Sequence, residues 1–253
     1  MDGGSAARVV SEAKRPVPLR PTLLAAPPLQ KSSVPVAIAM LDAVDRTRTR
    51  PEPERLYQAG GKRVLDITLS LGFLLTVGFW LLPLIAFLIR LDSRGPALFR
   101  QERVGRDGRV FTCLKFRTMH YDPAAGFVQA TRSDPRVTRL GRLLRRSNFD
   151  ELPQFLNVLR GEMSVVGPRP HVPELDSLFS HQVLGYARRV SIRPGVTGLA
   201  QVSGARGETR SVSEMTQRVH FDLDYVRHHG VIRDISIMMR TVRCVLLGDD
   251  NAY

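Results

Sequence analysis

Lysine, cysteine and tryptophan are scarce in this chain: 253 residues hold four lysines, two cysteines and one tryptophan. Each shortage excludes something. Cys113 and Cys244 lie far apart with no CxxC spacing. A disulfide framework and a cysteine-rich zinc site are therefore excluded, and a reducing cytosolic setting is expected. The histidines show no HExxH or other metal-ligand spacing. There is no P-loop, no GxGxxG after a strand and no GxSxG elbow. Aromatics are only 7% of the residues, few platforms for stacked bases, and no nucleic-acid-binding motif is present. We therefore expect no nucleic-acid partner. Acidic residues are also few, 24 against 37 basic ones, for a formal net charge of +13. Of the 37 cations, 33 are arginine. Guanidinium groups keep their charge and grip phosphate in a bidentate fork, so the partners expected are phosphates or anionic lipid. With 43% hydrophobic residues, the composition is that of a folded protein.

Residues 1–55 carry 8 of the 17 prolines and are read as a flexible Pro-rich tail. A mildly apolar run, Val34 to Val44, is compatible with a short helix closed by Asp42 and Asp45. The pattern is not that of a secretory signal peptide. No internal repeat is apparent.

From Ile67 to Ile89 there are 23 consecutive residues without a charge. As a helix this run is roughly 34 Å long, enough to reach across a bilayer core. Pro83 lies inside it, where it removes a backbone hydrogen bond and kinks a helix. Lys62 and Arg63 precede the run; Arg90, Arg94, Arg100 and Arg103 follow it. Positive flanks mark the cytosolic side, so basic flanks at both ends fit a helix that enters, breaks near Pro83 and returns. A single-pass helix is the alternative left open by the charges alone.

The remainder, 96–253, reads as one compact domain. Residues 96–119 form two β-rich runs around Gly105-Arg106-Asp107-Gly108, a predicted β-hairpin. A basic helix is expected over 136–147, and another from Pro153 to a stop at Gly161. Ser213–Val226 has helical periodicity. Ile232–Leu247 is amphipathic, and suits either a core helix or one lying on an anionic membrane surface.

The most suggestive cluster is Arg145-Arg146-Ser147-Asn148-Phe149-Asp150-Glu151-Leu152-Pro153-Gln154. A purely structural reading exists: Asp150 caps a helix, Glu151 complements its dipole and Pro153 sits in the first turn. The chemical reading makes one carboxylate a nucleophile and its neighbour a handler of metal or proton. Adjacent carboxylates fit glycoside hydrolysis poorly, since that pair must flank the bond from opposite sides. Two Gly/Pro-rich loops, Gly167-Pro168-Arg169-Pro170 and Arg193-Pro194-Gly195, each offer backbone N–H groups beside a guanidinium, an arrangement that binds phosphate.

Taken together, KRVLDITLSL, RGPALFRQERVGRDGRVFTCLKFRTM, DPRVTRLGRLLRRSNFDELPQFLNVLRGEMSVVGPRP and RPGVTGLAQV resemble the bacterial sugar transferases, the monotopic polyprenyl-phosphate phosphoglycosyl transferases. The resemblance runs from about Gly61 to Tyr253. FVQATRSDPRVT, the RGET at Arg206–Thr209, MTQRVHFDLDYV and the terminal NAY are most similar to the undecaprenyl-phosphate glucose phosphotransferases. The resemblance implies an α+β, mainly helical fold with three parts: the tail at 1–55, a re-entrant membrane helix within 56–95, and a cytosolic catalytic domain at 96–253 with its small hairpin. It implies transfer of a sugar 1-phosphate, glucose first, from a UDP-sugar to undecaprenyl phosphate, releasing UMP to initiate an exopolysaccharide or capsule. Galactose 1-phosphate, an N-acetylated sugar phosphate, or a silent scaffold for polysaccharide assembly are the alternatives. It further implies Mg²⁺ held at Asp150 and Glu151, and a covalent phosphosugar on Asp150 with Glu151 assisting. Arg145, Arg169 and Arg193 are implied to bind phosphate, Asp222 to be a further carboxylate of the site, and Pro83 to break the membrane helix. The expected setting is the cytoplasmic membrane with the catalytic domain on its cytosolic face, with a second copy of the chain among the partners considered. Two departures stand out: Ser147-Asn148-Phe149 before the dyad, and Leu199 where the family commonly has tryptophan.

Overall fold

The computed structural model describes residues 56–122, 129–131, 134–209 and 211–247. The Pro-rich tail, its short apolar run and the terminal Asn251-Ala252-Tyr253 lie outside the described residues.

The first element, α1 (Tyr57–Asp92), is a continuous helix of 36 residues that contains an 18-residue stretch of mean hydropathy 2.3. Two stretches have π-type pairing, Tyr57–Gly61 and Leu74–Gly78, and the rest is α-helical. The chain stays helical through Pro83, so α1 does not end there. Its surface is arranged contrary to that of a soluble helix. Asp66 and Ser70 are buried, while Ile67, Leu71, Leu75, Phe79, Trp80, Leu84, Phe87 and Leu91 are exposed. Two exposed polar groups near its middle are satisfied within the helix: Thr76 Oγ1 donates to Gly72 O (2.7 Å) and Trp80 Nε1 to Thr76 O (3.2 Å).

The polar face of α1 docks on the rest of the chain. Asp66 Oδ1 accepts from Val165 N (2.9 Å) and Ser164 Oγ (3.0 Å). Lys62 Nζ and Tyr57 Oη both donate to Asp234 Oδ2 at 2.6 Å. At the far end Ile85 and Ile89 pack with Ala97, Phe116 and Leu144. There the guanidinium of Arg117 donates to the carbonyls of Ile89, Ser93 and Arg94, closing off the end of α1. Both ends of α1 are thus held by one body.

That body begins with a hairpin, β1 (Leu98–Val104) and β2 (Val110–Phe116), antiparallel with Val104 opposite Val110. Asp107 takes a positive φ in its turn, a conformation that Asp tolerates. Two helices follow, α2 (Arg139–Ser147) and α3 (Gln154–Arg160). Then come β3 (Ser164–Val166), α4 (Pro173–Phe179), β4 (Gly195–Thr197), paired parallel with β3, and the single turn α5 (Leu199–Val202). Two long helices close the fold, α6 (Val212–His228) and α7 (Val231–Leu247). One core joins Cys113, Val158, Met163, Val166, Tyr225 and Ile237; another lies under α6, around Phe179, Tyr186, Met215 and Val219. Helix α7 contributes Ile237 to the core but exposes Ile232, Ile235, Met239, Val242 and Leu246 along its other side.

Candidate active site

The adjacent carboxylates sit in the short link between α2 and α3. Thr138 starts α2 by accepting from Gly141 N (2.9 Å), a side-chain N-cap. Gly141 lets α2 press onto the end of the hairpin, because a Cβ there would fall 2.0 Å from Thr118 O. The helix stops at Asn148, whose φ of +58° is the left-handed turn that Asn adopts more readily than most residues. A single 3₁₀ turn, Phe149–Glu151, then carries the dyad. Neither carboxylate caps α3, which sets aside the helix-cap reading of the pair.

The two carboxylates have different surroundings. Glu151 is buried and clamped. Lys115 Nζ from β2 donates to its Oε1 (2.8 Å). Arg169, from the loop after β3, donates to Oε1 (2.8 Å) and Oε2 (3.3 Å). Burial alone would raise this carboxyl, but Arg169 and Lys115 outweigh it and hold it well below the usual carboxylate range. Asp150 is half-buried, and no hydrogen bond or ion pair engages its carboxylate among the described residues. Crowding by the surrounding protein, and then the charge of Glu151, push Asp150 up to about 6, against the pull of Lys115, Arg145 and Arg169.

The clamp is itself braced. Asn157 of α3 is fully buried; it accepts from Leu114 N (3.0 Å) and donates to Thr112 O (2.8 Å). That locks β2 against α3 and fixes Lys115 opposite Glu151. Arg189 holds the carbonyl of Arg169, and Asp222 of α6 holds Arg189 at 3.0 and 3.1 Å with both side chains buried. Arg145 Nε donates to Thr118 Oγ1 (2.8 Å).

The structure brings together some of the residues expected from sequence. Asp150, Glu151, Arg145 and Arg169 share one electrostatic environment. Asp222 reaches the site only through Arg189 and the Arg169 backbone; it does not touch the dyad. Arg193 lies at the other end of α3, donating to Gly161 O (2.8 Å). There it joins Arg63 of α1, which donates to Val158 O (2.6 Å) and Leu159 O (3.0 Å). Two cations thus complement the negative end of the helix whose start bears the dyad. Lys115 and Arg189 went unrecognised in the sequence. Lys115 is one of only four lysines, and that rarity was the one available signal.

The donor set suits a hard cation in part. Among the described residues, Glu151 Oε2 receives only the long Arg169 contact and no hydrogen bond engages the half-buried Asp150 carboxylate. Among the described residues no group of three or more His, Cys, Asp or Glu converges. Mg²⁺ commonly binds through one or two carboxylates plus substrate phosphates, so the pair fits an ion whose other ligands are phosphate oxygens and water.

Comparison with known proteins gives the chain its relatives. The family model described as bacterial sugar transferase matches residues 57–248. A UDP-glucose:undecaprenyl-phosphate glucose-1-phosphate transferase of Caulobacter vibrioides is 52% identical over 194 residues, covering 76% of this chain and 72% of that protein. A protein of the same name from Escherichia coli is 46% identical over 182 residues, 72% of this chain and 39% of that protein. A galactosyl transferase of Streptococcus agalactiae is 40% identical over 200 residues, 74% of this chain and 42% of that protein. The matched stretch is thus most of the Caulobacter protein but under half of the other two. The match takes in the apolar helix, the hairpin, the dyad turn and its arginine clamp, and the chain belongs to the bacterial sugar transferase family.

Proposed function

We propose that this chain transfers a sugar 1-phosphate, glucose 1-phosphate first, from a UDP-sugar to undecaprenyl phosphate, with release of UMP. The observation that carries this reading is the asymmetry of the dyad: a carboxylate that no hydrogen bond or ion pair engages among the described residues, beside one locked between two cations. Asp150 is the nucleophile. An oxygen of its carboxylate attacks the sugar-bearing phosphorus of the UDP-sugar. The bond from that phosphorus to the bridging oxygen breaks, and UMP leaves with the bond's electron pair. The phosphosugar stays on Asp150 as an acyl phosphate. A phosphate oxygen of undecaprenyl phosphate then attacks the same phosphorus and expels the Asp150 carboxylate. The product is a polyprenyl diphosphate sugar.

A carboxylate attacking a diphosphate meets like-charge repulsion. Lys115, Arg145 and Arg169 supply fixed positive charge around Asp150, which acts mainly by electrostatic stabilisation. Glu151 keeps Lys115 and Arg169 converged on the site. Asp150 and Glu151 would hold Mg²⁺, which would supply charge withdrawal from the diphosphate oxygens.

The lipid substrate calls for a site at the membrane surface. The outward apolar face of α1 supports membrane association. Both its ends are fastened to one polar body, through Lys62 and Asp66 at the start and through Arg117 at the finish. A straight span would drag that body across the bilayer, so the reading is a helix that dips in and returns, with the domain on the cytosolic face. Arginines near the helix ends suit anionic headgroups.

UMP release by detergent-solubilised protein with Mg²⁺ and undecaprenyl phosphate tests the reaction. UMP from UDP-glucose that requires the lipid and disappears in Asp150→Asn is the expected result. A strong preference for UDP-galactose would move the sugar toward that of the streptococcal relative. Silence with every UDP-sugar would overturn the reaction.

A further inference from the structure

The loop between α5 and α6 has no part in the chemistry described so far, yet it is fastened to the dyad turn. Arg206 Nη2 donates to Asn148 Oδ1 at 2.6 Å. Asn148 is the left-handed residue that ends α2, two positions before Asp150. Its carbonyl accepts from Glu151 N (3.1 Å), so the geometry of Asn148 is handed directly to the dyad. The loop is stiffened from behind. Arg218 of α6, itself buried, donates from Nε to Ala205 O (3.1 Å) and from Nη2 to Gly207 O (3.0 Å). Those carbonyls flank Arg206 on both sides. Gly204 and Gly207 take φ of +83° and +90°, turns that bring the backbone around without Cβ strain.

Helix α6 therefore braces the site twice. Arg218 fixes the loop that carries Arg206. One turn further on, Asp222 fixes Arg189 and through it Arg169. The first brace ends at the turn bearing Asp150, the second at the partner of Glu151.

We propose that Arg206 is a positioning residue for the nucleophile, acting through the side chain of Asn148 to hold the Phe149–Glu151 turn in register with its clamp. The backbone of Asn148 makes the αL stop of α2, and its side-chain Oδ1 is the acceptor for Arg206. The proposal deepens the phosphoglycosyl-transfer reading and rests on it for its kinetic test.

The test uses the full chain in detergent with UDP-glucose, Mg²⁺ and undecaprenyl phosphate. Asn148→Gly keeps the left-handed turn accessible and deletes the acceptor. Arg206→Gln deletes the cation, and Arg206→Lys keeps a donor. Each of the first two is expected to lower kcat roughly tenfold with KM for UDP-glucose within about twofold, since an arrangement for reaction is lost and not binding. The double variant is expected to fall no further than the worse single one, the sign of one shared interaction. Arg206→Lys is expected to regain most of the loss. Full kcat in either deletion, losses that multiply, or losses that follow a fall in melting temperature would each overturn the proposal. A second reading needs no activity: Arg206→Gln should speed hydrogen exchange at the amides of Glu151 and Leu152. Unchanged protection there contradicts the proposal even if the wild-type chain proves silent with every UDP-sugar, a result that by itself counts against the reaction alone.

Discussion

Helices α1 and α6 are built from opposite rules. Helix α6 turns Met215, Val219 and Tyr225 inward and Glu214, Thr216 and Gln217 outward, as a helix in water does. Helix α1 turns Asp66 and Ser70 inward and leaves Leu75, Phe79 and Trp80 outside. Burying a side chain such as Leu or Phe is worth about 1.5–3 kcal/mol. A face of such residues left in water would forgo that gain at every position. The contrast is that of a helix compatible with membrane association beside one of ordinary water-soluble pattern. Both helices nonetheless serve the site through buried charge. Lys62, Arg63 and Asp66 fasten α1 to the core and to the end of α3, while Arg218 and Asp222 reach the loops around the dyad.

The comparison can be broken at four places. The largest loss of stability is expected from Asp222→Asn on the watery helix. It leaves the buried Arg189 without its counter-charge, and removing one partner of such a pair costs about 3–5 kcal/mol. Denaturant unfolding should show that loss, and UMP release should fall with it because Arg169 loses its brace. Next come Leu75→Asp and Phe79→Asp on the exposed apolar side of α1. A charge near the middle of a membrane helix costs about 2.5–3.5 kcal/mol. Sedimentation with membranes should show the doubly substituted chain leaving the pellet, whereas Gln217→Asp on α6 should stay with it. A smaller effect is expected from Asp66→Leu, which takes the acceptor from the buried Val165 N–H, while Ser164 Oγ keeps Val166 O (2.9 Å). Leaving such a group unsatisfied costs about 1–3 kcal/mol at most, read as a lower melting temperature in detergent. Smallest is Leu75→Ala in detergent, expected within about 0.5 kcal/mol of the parent, since that side chain touches solvent or detergent and not the core. A large destabilisation there would mean that the outer face packs on protein, and the contrast between the two helices would fail.

Much of this was legible in the sequence because it is written in local pattern. The uncharged run at 67–89, the hairpin around Asp107-Gly108 and the helix stop at Gly161 each follow from a few adjacent residues. The adjacent carboxylates were visible for the same reason. What pattern could not give is which distant side chain meets which. Lys115 and Glu151 are 36 residues apart, and Arg189 and Asp222 are 33 apart. A lone lysine in a strand carries no periodic signal. Arg193 and Arg169 looked alike in sequence, each in a Gly/Pro loop, yet one caps the end of α3 and the other clamps Glu151. The two loops lie against each other, Gly195 N donating to Pro168 O (2.9 Å), and only the side chains part: Arg193 reaches Gly161 O at the end of α3 and Arg169 reaches Glu151. Lys62 read only as a basic flank of the apolar run, and Asp66 drew no reading; the packed chain shows both as the fastening of that segment to the core.

The central claim is that Asp150, and not its clamped neighbour, carries the phosphosugar. Intact-protein and peptide mass spectrometry after incubation with UDP-glucose and Mg²⁺, without lipid acceptor, tests it most directly. The account predicts a gain of one hexose phosphate on the peptide containing Asp150, discharged on addition of undecaprenyl phosphate and absent from Asp150→Asn. An adduct that persists in Asp150→Asn, or that maps to Glu151, would contradict it.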